Sequence, residues 1–274
     1  MPQPMQNPTH LQAIGQRRFG RVNWLGLYTL TEREVKRFAA VWNQTVLAPL
    51  VTAALFVLIF NLAIGPKRGP VMGVEFVAFL APGILMMSVI QNAFANTSSS
   101  IVGSKIMGNI VDTLMPPLSP MELALGYTLG GTLRGLAVAA VVMGATFPFL
   151  GLGVAHPLWA ALFILLGSAL MAMIGIVAGI MANRFDQLSA ITNFIVTPLS
   201  FLSGTFYSIE ILPPSLKMVA HYNPVFYLID GARYGILGVS DANPVLGAWV
   251  CLGLAAVLLL VIWRWFATGY RLKD

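Results

Sequence analysis

The chain has 274 residues, of which 57% are hydrophobic and 9% charged, with a formal net charge of +6. Soluble domains carry about 25% charged residues and about 45–50% apolar ones, so too little polar surface remains here to cover a water-soluble globule. Composition excludes a soluble enzyme, a disordered chain and a nucleic-acid-binding domain, and it points to an integral membrane protein.

Residues 1–28 read as a flexible basic arm carrying Arg17, Arg18 and Arg21, without the apolar core of a cleaved signal peptide. The remainder, 29–274, reads as one transmembrane domain. Thr31-Glu32-Arg33-Glu34 has the T-x-x-E form of a capping box. After it, Val35, Phe38, Ala39, Trp42 and Val46 recur at helical spacing, with Glu32, Lys36, Arg37 and Asn43 on other faces. The pattern predicts an amphipathic interfacial helix that turns into the first span near Pro49, rather than a plain extension of that span.

A membrane helix needs about 20 apolar residues. Windows free of Asp, Glu, Lys and Arg lie at 38–66, 76–104, 123–133, 135–183, 187–209 and 242–263. The fourth is too long for one helix and is broken at Phe147-Pro148-Phe149-Leu150-Gly151-Leu152-Gly153 and at His156-Pro157. The short third window must run through Arg134, from about Met121 to Phe147. The prediction is an all-α protein with six spans, roughly 45–64, 76–98, 121–147, 157–182, 187–205 and 244–266.

The second span ends in an unusually polar run containing Gln91, Asn92 and Asn96, read either as the lining of a wet route or as the end of the helix. Beyond it, Ile106, Met107, Ile110, Val111 and Leu114 form an apolar stripe, with Lys105, Asn109 and Asp112 as its polar positions. A short amphipathic helix is expected there, covered by lipid or by a partner protein. Pro116-Pro117 stops it, and Ser119-Pro120-Met121-Glu122 opens the next helix with a capping box and a proline at the first helical position.

Arg134 lies twelve residues after Glu122, about 18 Å along a helix, and so near mid-bilayer. A central arginine costs ~2.5–3.5 kcal/mol on insertion scales. It marks a functional site or a structural hydrogen-bonding arginine, with the sequence even between them. Gly126/Gly130, Gly131/Gly135 and Gly175/Gly179 are G-x-x-x-G spacings, read as close packing within one subunit.

The fifth span does not end cleanly. The stretch 201–214, with Ser203, Tyr207 and Glu210, mixes apolar and turn residues. Two short, partly apolar helices follow at 215–222 and 225–238, divided by Asn223-Pro224. They are too short to cross and too apolar for a free loop, so re-entrant helices are expected. Asp230 and Arg233 are three apart and positioned to pair.

Lys and Arg set the orientation. Arg17, Arg18, Arg21, Arg33, Lys36, Arg37, Lys105, Arg184, Arg264, Arg271 and Lys273 share the side of the termini. Only Lys67, Arg68, Lys217 and Arg233 oppose them. Both termini are therefore expected in the cytoplasm. Trp42, Trp159, Trp249, Trp263 and Trp265 sit at span ends as an interfacial belt. His10, His156 and His221 share no ligand spacing, Cys251 is the single cysteine, and no G-x-x-x-x-G-K-[ST] occurs. If ATP drives this protein, another chain must bind it.

Taken together, this organisation resembles the ABC-2 type permeases, membrane subunits of ATP-binding-cassette exporters. The resemblance rests on 115–123 (MPPLSPMEL), 130–136 (GGTLRGL), 198–207 (PLSFLSGTFY), and Asn223-Pro224 with Tyr227, Asp230 and Arg233. It fits the branch that exports drugs, nodulation factors and polysaccharides. It implies a bacterial inner-membrane permease, homodimeric or paired, that binds no cofactor itself and works with two cytosolic ATPase subunits holding ATP and Mg. It implies that the helix around Lys105, Ile106, Asn109, Ile110, Asp112 and Leu114 docks into the ATPase. It also implies that spans two and five, with Gln91, Asn92, Asn96, Ser200 and Ser203, border the transport route, and that spans one and five form the dimer seam. The alternative reading is an ion-coupled secondary transporter, which would normally show inverted repeats and midplane acids.

Overall fold

The computed structural model describes residues 22–63, 65 and 69–272. Arg17, Arg18 and Arg21 of the basic arm lie outside these residues. The described residues are helical, joined by short turns, with no strand among them beyond one isolated bridge between Val71 and Val74.

The first helix, α1 (Trp24–Ala40), starts earlier than expected, so the arm cannot extend to residue 28. Its N-cap is Asn23, whose side chain accepts from the Gly26 amide. The expected capping box at Thr31 is absent, since Thr31 lies inside the helix and its hydroxyl donates to the Leu27 carbonyl. The inward face is Leu27, Leu30 and Glu34. The expected apolar stripe is turned outward at Ala39 and Trp42.

A π-helical turn, Asn43–Leu47, leads into α2 (Ala48–Ala63), and together they form the first membrane-length helix. The others are α3 (Phe76–Ile106), α5 (Pro120–Leu150), α6 (Pro157–Met181) and α11 (Pro244–Thr268). Among the described residues, five helices are thus long and apolar enough to cross a membrane. Three of them outrun the sequence boundaries at their C-terminal ends, most of all α3, which runs through Gly103 and stops only at the turn that holds Gly108.

The expected fifth span is not one continuous α-helix. It comprises α7 (Phe185–Ile191), a π-turn (Thr192–Val196) and α8 (Thr197–Leu202), of seven, five and six residues. Asp186, Gln187, Thr192 and Asn193 make it more polar than the other five. Its two ends nevertheless sit at opposite ends of α3. The Lys105 ammonium holds the Ala182 carbonyl at 2.9 Å, whereas Thr205 packs against Gly83. The short helix α4 (Ile110–Leu114) lies between α3 and α5, and α9 (Pro214–Tyr222) and α10 (Pro224–Leu237) lie before α11.

Close helix packing explains the glycines. α3 is buried between α5, α6 and α10. Gly175 of α6 faces α3 so tightly that a Cβ there would sit 2.5 Å from the Phe94 carbonyl oxygen and collide with Thr97. Two of the G-x-x-x-G pairs serve the α3–α5–α6 seam. Gly126 and Gly130 instead admit Leu30 and Glu34 of α1. Gly175→Val is expected to force α6 off α3 and to cost about 1–3 kcal/mol of stability. A lowered thermal unfolding midpoint of the purified chain in detergent would show it.

Candidate functional site

The structure gathers the polar residues at three levels of the bundle. At the end where α1 meets the start of α5, Glu34 is fully buried. Its carboxylate accepts from Ser100 Oγ at 2.7 Å, from Arg33 at 3.2 Å and from Arg37 at 3.0 Å. Arg37 also donates to Asn96 Oδ1 at 3.0 Å and to Ser99 Oγ at 3.2 Å. Arg33 donates to Thr113 of α4 at 2.8 Å and to the Tyr127 hydroxyl of α5 at 3.1 Å. Burial alone would lower the Arg33 pKa; Tyr127 and Glu34 outweigh it, and the net shift is upward. One carboxylate thus ties α1, α3, α4 and α5 together. Asn96 belongs to this network, while Gln91 is partly buried and takes no part in it.

The next connection also joins α1 to α5. Ser119 caps α5 and Glu122 completes the capping box, as the sequence indicates. The same Glu122 carboxylate accepts from the Asn23 amide at 2.7 Å, which locks the start of α1 to the start of α5.

The expected helix over 105–114 is shorter than the stripe suggested. Lys105 and Ile106 end α3, and a turn with Gly108 at φ +70 precedes α4. Lys105 does not belong to an outward face: its ammonium donates to the Ile180 and Ala182 carbonyls and to Asn183 Oδ1, capping α6. Ile110 is buried and Leu114 partly so. Asn109 and Asp112 are exposed. The open apolar surface is Ile106, Met107, Val111 and Met115, exposed by 50%, 76%, 49% and 76%.

In mid-bundle, Arg134 donates from Nη2 to Asn92 Oδ1 at 3.0 Å. Its side chain is 9% exposed, and its Nε has no hydrogen-bond partner.

At the opposite end, Arg233 is fully buried and lies 3.5 Å from Asp230 and 3.6 Å from Asp241. Its guanidinium donates to the Gly204 carbonyl at 2.5 Å and stacks 4.1 Å from the centre of the Phe79 ring. Asp230 accepts from the Asp241 and Ala242 amides at 2.8 and 2.9 Å, and Asp241 accepts from the Ser208 hydroxyl. Burial pushes the Asp230 carboxyl up, against those amides and Arg233. The expected Asp230–Arg233 pair is present, but it is half of a trio. Arg233, counted in the sequence as an outer-loop charge, is an internal one. Asn223 caps α10 through the Val225 amide and donates to Ser203 Oγ at 2.6 Å. Pro224 follows at the first helical position. Ser200 donates its hydroxyl to the Val196 carbonyl one turn back, and its own carbonyl accepts from Thr205 Oγ1. Tyr207 reaches the Leu202 carbonyl at 3.3 Å, and Glu210 pairs with Lys217 at the surface.

Comparison with known proteins matches this architecture. The ABC-2 type transporter family model matches residues 26–237. The inner membrane transport permease YadH of Escherichia coli strain K12 is 35% identical over 251 residues, covering 92% of this chain and 98% of the relative. Nodulation protein J of Rhizobium leguminosarum bv. viciae is 26% identical over 257 residues, 89% of this chain and 91% of its own. The daunorubicin resistance ABC transporter permease protein DrrB1 of Streptomyces coeruleorubidus is 25% identical over 236 residues, 81% and 78% of the two chains. The match covers α1, the bundle and α10 alike, and the chain belongs to the ABC-2 type transporter family: it is a transport permease, the membrane subunit of an ABC transporter, and not an enzyme.

Proposed function

We propose that the chain is the six-pass permease of an ATP-driven exporter, with both termini in the cytoplasm of a bacterial inner membrane. The segment 185–202 supports a sixth crossing. Its ends lie at opposite ends of α3, and eighteen helical residues rise about 27 Å, close to the hydrocarbon thickness of about 30 Å. On this reading α9 and α10 are the re-entrant helices, and two copies of the chain pair with two ATPase subunits. ATP and Mg are held by those subunits, since no phosphate-cradling motif occurs in this sequence. The exported molecule is an amphiphile, drug-like or linked to lipid or polysaccharide. The relatives named for daunorubicin resistance and nodulation support that class.

The exposed apolar patch around α4 carries the reading. Met107, Val111 and Met115 stand open beside Asn109 and Asp112, as suits a helix seated in a partner's groove. Closure of the ATPase pair would push α4. The Pro116–Glu122 joint would pass the motion to α5, and the Arg33–Thr113 bond would pass it to α1. The route would open between α3 and the α7–α8 segment, beside Gln91, Asn92, Asn96, Ser200 and Ser203. The double variant Met107→Glu/Val111→Glu tests this. It is expected to cut co-purification of the ATPase subunit at least tenfold, while stability stays within about 0.5 kcal/mol because both sites are at the surface. Undiminished association would overturn the docking role.

A further inference from the structure

Arg134 and Arg233 are both buried arginines, but their surroundings differ. Arg233 has two carboxylates within 3.6 Å. Arg134 has no acidic partner within ion-pair distance among the described residues. Its single hydrogen bond goes to the neutral Asn92, and its buried Nε is unused. One turn away along the same seam, the Asn96 Nδ2 is also buried and unused. It lies 3.8 Å from where a side chain on Gly130 would begin, and Gly130 is one turn before Arg134 on α5. Buried donors are almost always satisfied, and a buried charge without a counter-charge is strongly unfavourable. Arg37 on this seam is already paired with Glu34, so the two idle donors and the one guanidinium left without a counter-charge, that of Arg134, call for an anion.

We propose that this seam binds the anionic headgroup of an amphiphile, a phosphate or carboxylate held by Arg134 with Asn96 at its edge. The planar guanidinium suits such an oxyanion by paired hydrogen bonds. The π-turn Asn43–Leu47, where α1 bends into α2, packs against α5, the helix that carries Arg134, and the turn and α2 expose Leu47, Val51 and Leu55. An apolar tail has a surface to follow there. Identification of the bound amphiphile as the transported molecule rests on the exporter reading above; the anion site itself does not.

The full chain in phosphatidylcholine nanodiscs is titrated with a fluorescent dodecyl phosphate, using dodecyl phosphocholine as the zwitterionic control. Wild type is expected to bind the phosphate saturably and at least tenfold more tightly than the control. Arg134→Gln is expected to weaken phosphate binding at least tenfold, and Asn96→Leu and Arg134→Lys several-fold, the lysine keeping the charge but not the paired hydrogen bonds. Binding by Arg134→Gln within twofold of wild type would overturn the site. Should that variant fail to fold, equal wild-type affinity for the phosphate and the phosphocholine would overturn it equally. Two further arms separate the sources of the anion. Competition by phosphatidylglycerol in the disc, without ATP-dependent movement of the probe in the reconstituted complex, marks a resident lipid. ATP-dependent movement marks the transported molecule. Because binding is read on the permease alone, absence of an ATPase partner would sink the exporter reading and leave this one standing.

Discussion

Arg233→Met is expected to be the most damaging single substitution in the protein. It would leave Asp230 and Asp241 facing each other without their shared cation in a site where Arg233 is fully buried. Breaking a buried pair by removing one partner costs about 3–5 kcal/mol. The Gly204 carbonyl would also lose its donor and Phe79 its stacked guanidinium. The damage would spread because Arg233 joins α10 and α3 to the loops at 203–209 and 240–242. Arg233→Lys is not a safe substitute, since a point ammonium cannot serve Gly204, two carboxylates and a ring at once. Chemical unfolding of the purified chain in detergent gives the loss directly. Adding Asp241→Asn to Arg233→Met should recover part of it by removing one stranded charge. A double variant less stable than Arg233→Met by a further 1 kcal/mol or more would contradict the charge argument.

The second large effect is expected at Glu34. Glu34→Ala strands Arg33 and Arg37 beside a void and leaves Ser100 without its acceptor. The loss is again about 3–5 kcal/mol for a fully buried carboxylate, but it falls on the docking of α1 rather than on the whole bundle. Hydrogen exchange should therefore rise first in α1, with α3 and α6 still protected. Thr113→Val removes only the Arg33 contact to α4 and should cost about 1 kcal/mol. If α1 also carries motion from α4, Thr113→Val should lower ATP-driven activity by more than its small stability cost allows. Rapid exchange throughout α3 in Glu34→Ala, or normal protection of α1, would refute the local role.

What the sequence revealed depended on whether a feature was local. The Ser119–Glu122 capping box and the Pro157 and Pro244 helix starts are set by neighbours a few residues apart, and the structure has them. Glycine spacing foretold close packing because a missing side chain is visible in any sequence. The errors share one cause: a short local pattern matched while a distant partner decided. Thr31-x-x-Glu34 looked like a cap, yet Glu34 serves Ser100 and two arginines. Lys105 looked like a surface charge, yet it caps α6 from a position 75 residues earlier. Asp241 sits in a polar linker with nothing to distinguish it, and only the fold brings it to Arg233. Arg134 was legible because charge in an apolar window is conspicuous; its contact with Asn92, 42 residues away, was not. The segment 185–202, expected as a fifth span, is broken into α7, a π-turn and α8, and its polar residues Asp186, Gln187, Thr192 and Asn193 are what blur it in the sequence.

The most direct measurement purifies the full chain from its own membranes in mild detergent and assays ATP hydrolysis by what elutes with it. The expected result is a co-eluting subunit that carries a G-x-x-x-x-G-K-[ST] sequence. Hydrolysis should be lost when that subunit is stripped and restored when it is returned, but not when the permease carries Met107→Glu/Val111→Glu. A chain that elutes without any ATP-binding subunit, and that moves an amphiphile across vesicles in response to a proton gradient alone, would contradict an ATP-driven permease.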